Sequence, residues 1–408
     1  MLEVRWFQFG IVALVLMCLL VAFSSGFIRI NYYESFLLIH ICLSIVLVYA
    51  LFVHSSVFEG AFNGYLWPLV AIWSFDRLLR LIRVLYCNFH VRFSGSVLCT
   101  SSTTVTYDKA SDVIRIDIQP ASSLLKPAPG QYYHLYQPFA LKGWENHPFS
   151  LGFYTTNPPP ASLPPSPTTP TDLSKEIATA TTTSTPSSSP PSLTSPPGPP
   201  TLTFYIRPYD GWTRRLRTAC LAAPSHTLSP ALLLEGPYGR PTPLHAFDTV
   251  VLLAGGTGIA AALPYVLDHA ARAAAAPPRT RTTVLRLVWA VKRAGFVRAL
   301  CAGELAGVLG RGGVEAEFYA TAGEEAVVVE GEEKGEGVVA AGVEIARGRP
   351  DVKGLVGAVA RETEASGGRA VVFVCGPAAM ADEARAAVHG EMKRGCRGIE
   401  YVEDCFGW

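Results

Sequence analysis

Charge is scarce in this chain. Asp, Glu, Lys and Arg make up 16% of the 408 residues and the formal net charge is +1, so bulk electrostatics argues against a polyanionic partner such as nucleic acid. Cysteine occurs nine times but never as a CxxC pair. An odd count without framework spacing argues against a disulfide scaffold and for a reducing compartment around the soluble part. A cleavable leader is also poorly supported. Glu3 and Arg5 make a weak basic start, and no small-residue cleavage site precedes the next apolar run.

What the chain has is unevenly spread. Residues 1–90 are strongly apolar and aromatic, 157–200 are nearly all Pro, Ser and Thr, and the rest is rich in Ala, Gly and Val. Three apolar segments, Phe7–Ser24, Phe36–Val57 and Tyr65–Leu85, each approach the ~20 residues that cross a bilayer. Arg29 lies in the first loop, only Glu59 in the second, and Arg77, Arg80 and Arg83 end the third segment. The positive-inside rule then places the first loop and everything after residue 85 in the cytosol. An integral membrane protein is expected, with the plasma membrane as its site.

The second segment, "FLLIHICLSIVLVYALFVHSS", carries His40 and His54. Nearly four helical turns separate them, so both rings leave one helix face about 21 Å apart along the axis. Polar groups inside a span are costly and face a bundle interior. Two readings stand: imidazoles satisfied by backbone or neighbouring hydroxyls, or axial ligands of two stacked haems. Residues 1–90 otherwise offer only His90, so any second ligand for each iron comes from elsewhere.

From Val97 onward the pattern changes to short alternating runs, "TTVTYD", "DVIRIDIQP", "PGQYYHLYQP", "TLTFYIRPYDGW" and "ALLLEGPYGRP". These read as antiparallel strands of a small barrel, with "HPFSLGFY" between them. The Pro/Ser/Thr tract 157–200 interrupts the barrel and is expected to be a disordered insertion, because it cannot bury enough apolar area to order itself. After Phe247, "TVVLLAGGTGIAAALPYVLDHA", "VLRLVWAVKR" and "AVVFVCGPAAMADEARAAV" alternate strand and helix. That order implies a doubly wound parallel sheet with its ligand at the strand carboxyl ends. The glycines of "GGTGI" suit either a phosphate at a helix N-terminus or close strand–helix packing alone. The Gly/Glu-rich stretch 323–337 and the Ala-rich stretch 270–276 read as solvated insertions.

Together these pieces resemble the ferric reductase family, the fungal metalloreductases related to NADPH oxidases, whose FAD/NADPH module is like ferredoxin–NADP reductase. "RINYYESFLLIH", "HPFSL", "GPYG", "LLAGGTGI", "LVWAVKR", "GRPDV", "VFVCGP" and "EYVEDCFGW" occur in the family's order. The fold implied is multi-domain: transmembrane α-helices over 1–90, an antiparallel β-barrel FAD domain over 92–245, and a doubly wound α/β NADPH domain over 246–408. The resemblance puts His147, Pro148 and Phe149 along FAD, with Ser150 near the flavin N5. Pro148 as the keeper of a strand end is the structural alternative. Arg207, Gly211, Trp212 and Thr213 match the segment that offsets the flavin pyrophosphate charge. Gly255, Gly256 and Gly258 match the nucleotide loop, and Cys375, Gly376 and Pro377 the segment beside the nicotinamide. Cys375 also suits a small buried hydrophobe. Trp408 matches an aromatic stacked on the flavin until nicotinamide displaces it, and "GRPD" (Gly348–Asp351) an element near the nucleotide pocket. Lys292 and Arg293 close the second strand where an NADH-selective sheet commonly has an acid, which suits the 2′-phosphate of NADPH or an ordinary basic surface.

The mechanism implied is electron transfer from NADPH to FAD, then through haem b to a ferric or cupric chelate across the bilayer. The family's oxidases reduce dioxygen to superoxide instead. The resemblance also implies a helix with a second histidine pair ahead of "RWFQFG", and the chain as written starts after it. A truncated nucleotide-binding homologue and a soluble-acceptor diaphorase are therefore the alternatives. Whichever holds, loop length costs entropy only logarithmically. Deleting 158–199 is expected to leave flavin content and NADPH oxidation nearly unchanged; loss of bound flavin in the deletion would show the tract to be part of the site.

Overall fold

The computed structural model describes residues 2–91, 98–122, 125–138, 146–155, 200–209, 211–322 and 343–404. The tract 157–200 (apart from Pro200), the stretch 323–337 and Trp408 lie outside the described residues. Contacts gather into two compact units, Met1–Tyr86 with Tyr136–Asn146, and Cys87–Leu135 with His147–Trp408.

The first unit is helical: α1 (Leu2–Phe23), α2 (Gly26–Asn31), α3 (Tyr33–Ser55) and most of α4 (Asn63–Asn88). Near-continuous apolar sequence makes α1 and α3, and their large side chains point outward, Val21 at 76% exposure and Leu14 at 60%. That arrangement is stable where the surrounding solvent is hydrocarbon. Among the described residues two helical stretches are long and apolar enough to cross a membrane, Arg5–Phe23 and Ser35–Phe58. The third expected segment does form a helix, α4, but it carries Asp76, Arg77, Arg80 and Arg83 in its second half, and Asp76 pairs with both Arg77 and Arg80.

In the second unit β1 (Phe89–Val91) and β2 (Leu98–Thr100) form a hairpin. Next come β3 (Ser102–Asp108), β4 (Val113–Gln119), β5 (Tyr132–Tyr136), β6 (Asn146–Ser150), β7 (Phe153–Thr155) and β8 (Thr201–Ile206). Then α5 (Gly211–Ala222) precedes β9 (Thr227–Leu228) and β10 (Leu233–Tyr238). These strands make two sheets, ordered β10-β5-β6 and β7-β8-β4-β3-β9. The expected barrel is thus built as a pair of sheets over one core. Period-two alternation sends Ile114, Ile116 and Ile118 of β4 inward at 0% exposure, leaving Arg115 and Asp117 outside. The sequence pattern ran "TLTFYIRPYDGW" on as strand, but the strand stops at Ile206. Trp212, Leu216 and Cys220 recur every four residues and are buried, which is a helix period.

The remaining chain alternates as expected: β11 (Thr249–Gly255), α6 (Ile259–Ala273), β12 (Val284–Val291), α7 (Gly295–Ala302), β13 (Val314–Ala320), β14 (Ile345–Arg347), α8 (Val352–Ser366), β15 (Ala370–Cys375), α9 (Ala378–Arg394) and β16 (Ile399–Glu403). The six strands pair in parallel in the order β14-β13-β12-β11-β15-β16. Every residue of β15 is buried, the continuous apolar run of a strand covered on both faces. One expectation is corrected here. Ala270–Ala273 belong to the last turn of α6 and not to an insertion, because alanine extends a helix at no side-chain entropy cost.

Asn88 is buried, and its side chain pairs with Leu234 as a strand backbone would. Its Nδ2 donates to the Leu234 carbonyl at 2.7 Å and its Oδ1 accepts from the Leu234 N–H at 2.9 Å and from Ser101 Oγ at 3.1 Å. Each buried backbone group left unpaired costs about 1–3 kcal/mol. Asn88→Ala leaves two such groups unpaired and is therefore expected to lower the unfolding free energy by about 2–6 kcal/mol, measured by denaturant titration of tryptophan fluorescence.

Candidate functional site

Neighbouring strands β11 and β15 flank the place in the parallel sheet where strand order reverses direction. In sheets of this kind ligands bind in a crevice at the carboxyl ends there. Ala254 is in register with Cys375, so the turns "GGTG" and "CGP" leave the sheet side by side. A Cβ on Gly258 would collide with the Cys375 carbonyl, and one on Gly255 with the Pro377 ring, 3.1 Å from Gly376 Cα. Gly256 differs. Its φ is +57° and nothing stands within 4 Å of the place a Cβ would take. Two of the three glycines therefore serve close packing, while the third supplies a left-handed backbone beside open space. Trp289, buried in β12, donates from Nε1 to the Gly256 carbonyl at 2.9 Å and holds the turn in place.

Around this turn a cleft is lined by Arg207, Gly256, Thr257, Lys292, Arg293 and Phe296, with Ser111 and Asp112 on its far wall. The second-strand cations predicted from the sequence thus reach the same opening as the glycine turn. Lys292 is exposed and has no ion pair among the described residues, whereas Arg293 donates to the Lys109 carbonyl at 3.1 Å. The one acid in the wall is already engaged: Asp112 accepts from Tyr107 Oη at 2.8 Å and faces Arg217 at 3.7 Å. Burial, then the bond to Asp112, push the Tyr107 hydroxyl above its ordinary value, which keeps it a donor. Three cations, an open left-handed glycine and no uncommitted acid make the cleft suited to phosphate groups.

The flavin-type residues meet in part. His147 and Phe149, two apart on β6, share a face, with Pro148 and Ser150 on the other. The His147 ring stacks on Trp212 at 5.5 Å and 15°, and Phe149 lies 5.8 Å from the same indole. Trp212 is 4% exposed, so it forms a buried floor under these rings. Gly211, Trp212 and Thr213 open α5, whose first N–H groups have no partner within the helix. Thr213 Oγ1 accepts from the Tyr209 N–H at 3.2 Å. Arg207, expected beside the flavin pyrophosphate, lines the cleft together with Lys292 and Arg293. In "GRPD", Asp351 accepts from the Gly354 N–H at 2.9 Å and caps α8, a structural duty.

The two histidines of α3 are not equivalent. His54 Nδ1 donates to the Trp6 carbonyl at 2.9 Å, since a carbonyl only accepts, and this leaves Nε2 as the basic nitrogen. Gly10 makes room for the ring: a Cβ there would stand 2.6 Å from Nδ1. His40 Nδ1 is buried without a partner among the described residues.

Sequence reasoning missed a group on the outer face of the barrel. Arg115 Nη1 donates to Glu304 Oε1 at 2.5 Å and its Nε to Asp117 at 2.8 Å, while Tyr205 Oη donates to the same Glu304 oxygen at 2.8 Å. Burial, then the Glu304 charge, hold the Tyr205 hydroxyl far above the usual phenol range, so it stays a donor. The only sequence sign was the polar alternation of "VIRIDIQ", which does not say what the polar face meets.

Three family models match the chain: "Ferric reductase like transmembrane component" over residues 1–51, "FAD-binding domain" over 178–242, and "Ferric reductase NAD binding domain" over 247–389. "Ferric reductase transmembrane component 3" of Saccharomyces cerevisiae is 26% identical, covering 100% of this chain and 51% of the relative. "Ferric/cupric reductase transmembrane component 2" of the same yeast is 25% identical over 99% and 51%. The chain spans about half the length of these curated relatives. A flavohemoglobin from Malassezia yamatoensis, solved with bound FAD and haem, shares 17% identity at a TM-score of 0.43, over 89% of this chain and 74% of that one. That likeness adds nothing to what the sheets themselves show.

The glycine roles separate by substitution. Gly258→Ala must displace a strand end and is expected to lower the melting temperature and abolish nucleotide binding together. Gly256→Ala meets no atom and pays only the left-handed backbone, about 1–2 kcal/mol. It should stay folded and weaken nucleotide binding; calorimetry on both variants checks this.

Proposed function

Because transmembrane, FAD-binding and NAD-binding components of ferric reductase type follow one another along this chain, we propose that it is a membrane oxidoreductase passing electrons from NADPH through FAD to a ferric or cupric chelate. The observation that carries the reading is the cleft beside the glycine turn, where Gly256, Thr257, Arg207, Lys292 and Arg293 converge. NADPH is the reductant of choice because β12 is followed at once by two cations, Lys292 and Arg293, where an acid would repel a 2′-phosphate. Cys375, Gly376 and Pro377 are proposed to lie beside the nicotinamide, and His147, Pro148, Phe149 and Ser150 with Gly211, Trp212 and Thr213 to hold the flavin. Trp408 is proposed as the ring that covers it. FAD, when bound, supplies the conversion from two-electron donor to one-electron acceptor, and the protein supplies alignment.

The domains proposed are 1–90, 92–245 and 246–408, and the family matches fall within them. His40 and His54 are proposed to hold haem iron, one imidazole for each. Support comes from the buried Nδ1 of His40, without a partner among the described residues, and from the bond of His54 Nδ1 to the Trp6 carbonyl, which leaves Nε2 for a ligand. The plasma membrane, with the nucleotide domains cytosolic, is the location proposed.

The full chain in detergent, loaded with FAD, is expected to be bleached faster by NADPH than by NADH under anaerobic conditions. Each charge-assisted contact is worth ~1.5 kcal/mol or more, about tenfold. Lys292→Glu with Arg293→Glu should therefore narrow the preference by at least that factor. Equal rates with both nucleotides in the parent would overturn the NADPH assignment.

A further inference from the structure

Hydride transfer tolerates little error in placement, since reacting atoms must lie ~3–3.5 Å apart and a 1 Å displacement costs about a hundredfold. In this chain one reactant is assigned to the barrel and the other to the parallel sheet, so whatever fixes one against the other governs the rate. Glu304 lies just past α7, with its side chain only 8% exposed. Both of its described partners, Arg115 and Tyr205, come from the barrel, opposite each other on β4 and β8. Arg115 is oriented in turn by Asp117, which Thr203 bonds at 2.6 Å. An exposed ion pair would contribute little, but this carboxylate is shielded and shared by two donors. Nearby, Gly295 meets Ala110 so closely that a Cβ would stand 3.0 Å from its carbonyl.

The contact also continues toward the nucleotide turn. The Tyr205 ring is 5.6 Å from Phe296, which lines the cleft, and Phe296 is 5.0 Å from Trp289. Trp289 in turn bonds the carbonyl of Gly256 at 2.9 Å. We propose that Glu304 is a positioning residue: with Arg115 and Tyr205 it clasps the parallel sheet to the barrel and sets the separation at which hydride passes. This rests on the oxidoreductase reading above, in which NADPH loses two electrons with one proton and the flavin gains the same hydride.

The test uses the full chain and the variants Glu304→Gln, Arg115→Met, Arg115→Lys and the double variant Glu304→Gln/Arg115→Met. Glu304→Gln keeps the shape and removes the charge. It is expected to slow anaerobic flavin reduction by NADPH at least tenfold while flavin content and NADP+ affinity hold. Arg115→Lys should recover part of the rate, and the double variant should be no slower than the slower single, as for residues acting through one contact. Hydrogen exchange over residues 109–117 and 293–305 should rise in Glu304→Gln without any nucleotide present. An unchanged reduction rate in flavin-loaded Glu304→Gln would overturn the positioning role, and so would a loss of rate that merely tracks lost flavin. Unchanged exchange would overturn the clasp itself, even in a parent that NADPH fails to reduce, an outcome that would count against the oxidoreductase reading separately.

Discussion

Two parallel strands, β11 and β15, end side by side, and the turns that leave them occupy space where no side chain fits. Gly258 rests on the Cys375 carbonyl and Gly255 on Pro377. That contact packs the "GGTG" and "CGP" turns against each other, while nothing stands within 4 Å of the place a Cβ on Gly256 would take. It also fixes the entry of α6, whose first residues Ile259–Tyr265 are all buried. The cleft with its cations follows from this packing, because β12 pairs with β11 and so delivers Lys292 and Arg293 to the same end of the sheet. A close-packed interior transmits such a constraint because it has few voids to absorb a shift.

The helices of the first unit obey a different solvent. Large apolar side chains cover the outside of α1 and α3. His54 meets the backbone of α1 across Gly10, so a glycine in one helix makes a polar side chain affordable in the other. Small residues serve such close approach in membranes, where the hydrophobic effect does not drive helices together. In the second unit the same economy of polar groups appears as sharing: one Glu304 oxygen takes two donors, and one Asn88 side chain satisfies both backbone groups of Leu234.

Electrostatics in the cleft is set by commitment as much as by count. Asp112 stands in the wall, yet its carboxylate is held by Tyr107 and faced by Arg217. Lys292 keeps its charge uncommitted among the described residues, while Arg293 spends one donor on the Lys109 carbonyl. Of the two cations, Lys292 is thus the better placed to follow a mobile anion, and Arg293 also serves the seam between barrel and sheet.

Period and punctuation in the sequence determined the classes of element. Unbroken apolar runs gave membrane-type helices, alternation gave the barrel strands, and strand–glycine–helix repeats gave the parallel sheet, because each pattern matches one backbone period. The glycine turn, "CGP" and the cations after "LVWAV" were visible for the same reason, each tied to the end of a strand. Tertiary structure alone decided what those residues do. The different roles of Gly256 and Gly258 and the meeting of Arg115 with Glu304 depend on contacts between residues distant in sequence, whereas the helix that carries Trp212 and the capping duty of Asp351 are local features that the strand pattern hid. Period tells which face a side chain takes; only packing tells what that face meets.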